Sequence, residues 1–173
     1  MNAGERPHAL ERFVAAQEPL WPRVVAELRA GRKRSHWMWF VFPQIAGLGR
    51  SETARRYALD GLGEARAYLA HPLLGARLEE ATGLMLASGG DDAHAVLGSP
   101  DDLKFRSSMT LFERAWPAPG DAPGDAHGDV AVADGPAGGA ASGVQNVFRL
   151  ALERFHGGVP DPRTIALLDA RDG

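Results

Sequence analysis

The chain has 173 residues, a formal net charge of −3 and 45% apolar residues, which together predict a globular protein with a single core. The slight negative charge argues against a general polyanion binder, so no nucleic-acid partner is expected. Cysteine is absent, which excludes disulfides, thiolate metal sites and cysteine nucleophiles and favours a cytoplasmic protein.

The first part of the chain has apolar residues at helical spacing, separated by glycine, proline and capping residues. Pro22 suits a first helical turn and Gly31 a helix end. Ser51 is a suitable N-cap, with Glu52 in the favourable first turn. These signals predict helices at 8–17, 22–30, 51–59, 62–70 and 72–85, and a short one that ends at Leu97.

The best-defined helix start in the chain is Ser99-Pro100-Asp101-Asp102, which combines an N-cap, a first-turn proline and two acids. The helix that it opens is predicted to reach Trp116. Apolar residues at helical spacing over 144–155 predict another helix, which ends at Gly157-Gly158. Asp161 then caps a last helix that begins at Pro162. No segment alternates as a strand does. We therefore predict an all-α fold, a single compact multi-helix domain over 1–173.

Residues 117–142 interrupt this domain with a different composition. Of these 26 residues, 22 are Ala, Gly, Pro or Asp, and none is Lys or Arg. Such a stretch buries too little apolar surface to offset the entropy of ordering it. We predict a long, flexible, disordered insertion, which is energetically cheap to tolerate in a surface loop.

Six consecutive apolar residues, Trp37 to Phe42, follow the basic run 32–34. Being apolar on all sides, they are expected to be buried, Trp39 included. Two interpretations stay open. The segment is either core alone, or its edge lines a pocket in which the tryptophan rings stack on a planar ligand and His36 and Gln44 supply hydrogen bonds.

A helical wheel of the 99–112 stretch predicts a second polar group. Phe105, Met109 and Phe112 share one narrow apolar face, and Asp101, Lys104 and Ser108 lie along its shoulder, with Ser107 and Leu111 further outward. One interpretation is an Asp101–Lys104 ion pair on an ordinary capped helix. The other is a polar cluster that faces an anionic ligand near the helix N-terminus.

The two lysines, Lys33 and Lys104, stand against 17 arginines, so each is a candidate for a specific role. No histidine pair has metal-ligand spacing, and no P-loop or dinucleotide glycine motif is present, so neither a metal nor a cofactor is expected. Ser107 or Ser108 with His36 forms a nucleophile and base only if the fold joins them. No run of residues has the length of a membrane helix, and the N-terminus does not resemble a signal peptide.

These residues resemble the signature blocks of the domain-of-unknown-function family numbered 1810. The blocks are "SHWMWFVFPQIAGLGRS", "AYLAHPLLGARL" and "LGSPDDLKFRSSMTLF", and shorter matches at 12–17 and 157–168 extend them. The resemblance implies a compact, mainly helical, usually bacterial protein, without an established activity. Some members carry the label calpastatin, but no residue here supports a protease-inhibitor role. The insertion at 117–142 departs from the family pattern.

The sequence thus predicts a site for a small anionic, nucleotide-like ligand between segment 35–51 and helix 99–112. The alternative is a non-catalytic binding or scaffold domain whose Trp-rich segment is only core. Whether the protein is an enzyme, and its oligomeric state, stay open. The catalytic candidates are His36, Lys104, Ser107 and Ser108, and the predicted ligand-binding residues are Ser35, His36, Trp37, Gln44, Ser51, Asp101, Lys104 and Ser108.

Overall fold

The computed structural model describes residues 10–116 and 146–172. Within these residues the chain is helical and has no strand, which confirms the all-α prediction. The predicted insertion at 117–142 lies outside the described residues. The helices are α1 Glu11–Gln17, α2 Trp21–Arg29, α3 Met38–Val41, α4 Glu52–Arg56, α5 Leu62–Ala70, α6 Leu74–Leu86, α7 Ala93–Leu97, α8 Asp101–Ala115, α9 Val147–His156 and α10 Pro162–Asp172.

Helix α8 lies at the centre of the fold, because α5, α7, α9 and α10 all pack against it. The prediction that Ser108 lies at the boundary between core and solvent, with Leu111 further outward, is therefore wrong, since both side chains are fully buried. A helix wheel assumes one solvent face, whereas neighbours bury residues 107–112 of this helix on every side. Two of its hydroxyls bond back to its own carbonyls, with Ser107 donating to Leu103 O at 3.1 Å and Thr110 to Arg106 O at 2.8 Å.

Local capping signals position some of the helix ends. Ser51 Oγ accepts from Ala54 N at 3.1 Å at the start of α4, and Gly157 ends α9 in the left-handed conformation, as predicted. The predicted Ser99 cap is wrong, because α8 begins after Pro100 and no side chain caps it. Helix α4 ends at Arg56, short of the predicted Leu59.

The early end of α4 follows from a long-range pairing. Leu59 N donates to Gln44 O at 2.9 Å, and Ala46 N donates to Leu59 O at 2.7 Å. These two bonds form an isolated parallel bridge between Ile45 and Leu59. The bridge holds residues 44–46 beside the start of α8, where the candidate site lies.

The Trp37–Phe42 segment is core over most of its length. Trp37 and Phe42 are fully buried, and their rings pack at 6.3 Å between centroids. Trp39 is the exception, because α3 is one short helical turn that leaves its indole half-buried. The expectation that Trp39 is a buried core residue is therefore wrong, and Trp37 takes that role.

None of the helices within 10–116 and 146–172 combines the length and apolar character that crossing a bilayer requires.

Candidate functional site

A cavity of about 300 Å³ lies where three elements meet: the 44–49 segment, the first turns of α8 and the start of α10. It is lined by Gln44, Leu48, Gly49, Pro100, Leu103, Lys104, Arg106, Ser107, Asp161 and Arg163. Leu103 is 57% exposed at this cavity. The cavity therefore combines an apolar rim with a group of charged side chains.

Close backbone packing forms one wall of the cavity. A Cβ atom at Gly49 would lie 2.3 Å from the Cβ of Ala54, so a larger residue does not fit without movement of α4. Gly47 has a φ of 106°, a conformation that residues with a side chain rarely adopt. The two glycines let the chain turn tightly between Gln44 and the Ser51 cap.

The charges at the cavity are mainly positive. Lys104, Arg106 and Arg163 line it together with one carboxylate, Asp161. Arg106 is oriented by its backbone partners, since its Nε donates to Val159 O at 2.9 Å and its Nη2 to Pro160 O at 3.0 Å. Three cations around one small concavity favour a ligand that carries negative charge.

Asp161 is already engaged by protein groups. Its Oδ2 accepts from the Ser107 hydroxyl at 2.9 Å, from the Thr164 hydroxyl at 2.6 Å and from Thr164 N at 3.1 Å. Burial opposes ionisation, but these hydrogen bonds outweigh it and hold the pKa of Asp161 below its usual value. Asp161 is therefore an ionised cap of α10, whose charge its own donors stabilise.

Lys104 is the cation that best joins the two predicted segments. Its Nζ lies 4.9 Å from the ring centroid of Trp39, within cation–π range. The same Nζ is 3.7 Å from Oδ1 of Asp101, an ion pair of the predicted i, i+3 kind. The Lys104 side chain is 25% exposed, so the ammonium is accessible from the cavity.

Lys33 contacts the other oxygen of the same carboxylate. Its Nζ lies 2.8 Å from Oδ2 of Asp101, and only 8% of its side chain is exposed. It also stacks over Trp37, with Nζ 5.2 Å from the ring centroid. Both lysines of the chain thus meet at Asp101, each above a different tryptophan.

Glu27 anchors the segment that carries Lys33. Its carboxylate accepts from the hydroxyl of Ser35, from Arg34 N at 2.9 Å, from Ser35 N at 3.1 Å and from Trp37 Nε1 at 2.8 Å. Burial alone would raise the pKa of Glu27, but these four donors lower it to about 2. An ionised carboxylate therefore fixes the 33–37 turn.

Of the residues predicted from the sequence, Gln44, Lys104 and Ser107 come together at the cavity. Asp101 adjoins it through Lys104, Ser35 bonds to Glu27, and Ser51 caps α4. Trp37 and Ser108 are fully buried, and His36 is exposed outside the cavity lining. The structure therefore does not join His36 to Ser107 or Ser108, as a serine nucleophile with a histidine base requires.

Sequence reasoning missed Arg106, Arg163 and the apolar rim of Leu48 and Leu103. Arg163 directly follows the predicted Asp161-Pro162 cap, but no local pattern shows that α10 begins beside α8. Lys33 had one signal, the scarcity of lysine among so many arginines. The scarcity of lysine made both Lys33 and Lys104 candidates, but it did not indicate that they share the Asp101 carboxylate.

The family model of the protein of unknown function DUF1810 matches residues 7–122, more than half of the chain. The chain belongs to this family. The chain is also similar to the conserved hypothetical protein Rv1873 from Mycobacterium tuberculosis, whose crystal structure matches with a TM-score of 0.77 and 46% identity. The match covers 94% of this chain and 98% of the neighbour. No protein with a curated description matches the chain.

Proposed function

We propose that this DUF1810 protein binds a small anionic, nucleotide-like ligand in the cavity between the 44–49 segment, α8 and α10. The supporting observation is that Lys104, Arg106 and Arg163 line one concavity. Phosphate oxygens are suitable partners for such a group, since an arginine such as Arg163 binds them in a fork and a lysine as a point charge. Arg106 adds positive potential, because its Nε and Nη2 are bound to backbone carbonyls.

The rest of the lining suits the uncharged part of such a ligand. Leu48, Pro100 and Leu103 supply apolar surface, and Gln44 and Ser107 supply hydrogen-bonding groups. Ligand sites in proteins typically combine an apolar wall with a few polar groups that orient the ligand. A phosphate attached to a planar or apolar group would use both kinds of surface, whereas an isolated inorganic anion would use one.

The rival interpretation is a non-catalytic scaffold domain, and the burial of Trp37 favours it in part. A fully buried indole that donates to Glu27 acts as core and does not stack on a ligand. Ser107 donates to Leu103 O and to Asp161, and no histidine is among the residues that line the cavity. Our proposal is accordingly a binding site, with no reaction assigned to it.

Calorimetric titration with pyrophosphate and adenosine monophosphate tests the proposal. We expect the wild type to bind, and Lys104→Met to bind at least roughly tenfold more weakly, the scale of one charge-assisted hydrogen bond. Lys104→Arg should recover only part of the affinity, because a guanidinium does not reproduce a compact ammonium. The matched control is Arg66→Gln, since Arg66 is exposed on α5 and is not a lining residue.

Two results would contradict the binding site. The first is a wild type that binds none of these anions, which would leave the scaffold interpretation ahead. The second is an equal loss of affinity in Lys104→Met and Arg66→Gln, which would show a general effect of net charge.

A further inference from the structure

We propose that Lys33 is a positioning residue for the anion site, which holds the Asp101 carboxylate away from the Lys104 ammonium. Lys33 is not among the residues that line the cavity, so it acts through Asp101 and not on the ligand. The inference rests on the proposed function, since it concerns how Lys104 stays available to an anion.

The two ion pairs of Asp101 differ in length. Its Oδ2 lies 2.8 Å from Lys33 Nζ, the distance of a charge-assisted hydrogen bond. Its Oδ1 lies 3.7 Å from Lys104 Nζ, which is too far for a hydrogen bond. The carboxylate is therefore bound to Lys33, and Lys104 keeps its three donors for other partners.

Lys33 is held firmly enough to compete for Asp101. Its backbone N donates to Val96 O at 2.7 Å, and its ammonium lies over Trp37. Trp37 is itself fully buried and donates to Glu27. Because these contacts fix the 33–37 turn against the core, Asp101 cannot approach Lys104 without lengthening its shorter ion pair.

Loss of the Lys33 charge changes this balance. Among the ion pairs of the described residues, Lys104 would then be the cation left to Asp101. The two residues are already one helical turn apart on α8. The carboxylate would then pair closely with Lys104 and neutralise it. A bound anion would have to displace that carboxylate, so its affinity would fall.

The experiment compares pyrophosphate dissociation constants for the wild type, Lys33→Met, Asp101→Asn and the double variant. Lys33→Met and Asp101→Asn break the same ion pair, so a purely structural role predicts losses of affinity in both. We expect Lys33→Met to bind roughly tenfold more weakly. Asp101→Asn should bind as well as the wild type or better, and in the double variant it should restore the affinity.

A second readout needs no ligand. The chain has two lysines, Lys33 and Lys104, so peptide mass spectrometry can follow the acetylation of Lys104 by acetic anhydride. We expect Lys33→Met to slow this reaction several-fold, because a closely paired amine is less reactive, and Asp101→Asn to restore it. Lys33→Gln, which keeps a hydrogen-bond donor, replaces Lys33→Met if that variant does not fold.

The two readouts separate the two proposals. If acetylation follows the expected order but neither pyrophosphate nor adenosine monophosphate binds, the proposed function fails and the role of Lys33 in positioning Asp101 stands. If Lys33→Met leaves both the acetylation rate and the affinity unchanged, or if Asp101→Asn fails to restore them, the role of Lys33 is overturned.

Discussion

The indole Nε1 of Trp37 donates a 2.8 Å hydrogen bond to the carboxylate of Glu27 inside the protein. This bond joins the end of α2 to the aromatic core, and with the donors from residues 34 and 35 it surrounds an otherwise unpaired buried charge. Buried charges are tolerated only when hydrogen bonds replace the lost hydration. Glu27 is therefore expected to stabilise the fold only in its ionised form.

The stability of the protein should depend on pH through Glu27. The pKa of Glu27 falls from 4.5 to about 2 on folding, so its contribution is complete above pH 4.5 and is lost as the pH falls through about 2. The shift corresponds to a contribution on the order of 3 kcal/mol. As the pH falls through this window, we expect the free energy of unfolding of the wild type to approach that of Glu27→Gln.

Denaturant unfolding of both proteins at a series of acidic pH values measures the difference. Asp161 also has a lowered pKa, but it is present in both proteins, so its contribution cancels. Parallel stability curves for the wild type and Glu27→Gln would contradict the assignment.

Truncation of the two neighbouring tryptophans should have unequal effects. Trp37 is fully buried and Trp39 is half-buried. We expect Trp37→Ala to cost about 3–5 kcal/mol, as for other large buried aromatic residues. Trp39→Ala should cost less than half of that, because the half-buried Trp39 ring packs against fewer core residues and contacts solvent and the Lys104 ammonium on its other side. Equal losses in denaturant melts would show that both rings belong to the core.

Alanine at two glycines should have opposite effects on stability. A Cβ at Gly49 would lie 2.3 Å from the Cβ of Ala54, so Gly49→Ala is expected to cost about 1–3 kcal/mol by overpacking. Gly83 is inside α6 with no atom within 4 Å of the corresponding position, so Gly83→Ala should stabilise by about 0.5–1 kcal/mol. Thermal unfolding of the two variants measures both changes, and a stabilised Gly49→Ala would contradict the close contact.

Replacement of residues 117–142 by a short Gly/Ser connector should leave the fold intact. The described residues on either side lie close together, with the rings of Trp116 and Phe148 5.6 Å apart and Asn146 Nδ2 3.4 Å from Glu113 O. A connector of a few residues can therefore join them. Each halving of loop length should favour folding by roughly 0.6 kcal/mol.

Circular dichroism and denaturant unfolding of the shortened protein check this expectation, with limited proteolysis of the full chain as a companion. Exposed polar segments are preferred cleavage sites, so we expect the first cuts in the wild type to fall within 117–142. First cuts inside α8 or α9, or a shortened chain that does not fold, would show that the insertion has a structural role.

The sequence by itself determined the all-helical class and several helix ends. Ser51 reaches Ala54 N, and Asp161 reaches Thr164 N, each across three residues of chain. Such caps depend on neighbours in the sequence, so residue type and spacing predict them. The i, i+3 pair of Asp101 and Lys104 was predictable for the same reason.

Only the tertiary structure decided which polar groups share the cavity. The pairing of Lys33 with Asp101 joins the segment after α2 to the start of α8, and the approach of Arg163 to Lys104 depends on where α10 packs. The same packing buries Ser108 and leaves His36 exposed. These relationships join groups far apart in the chain, and periodicity carries no information about which helices cover one another. The helical pattern of a sequence specifies the direction in which a side chain leaves the helix axis. Tertiary packing decides which neighbouring helix lies in that direction.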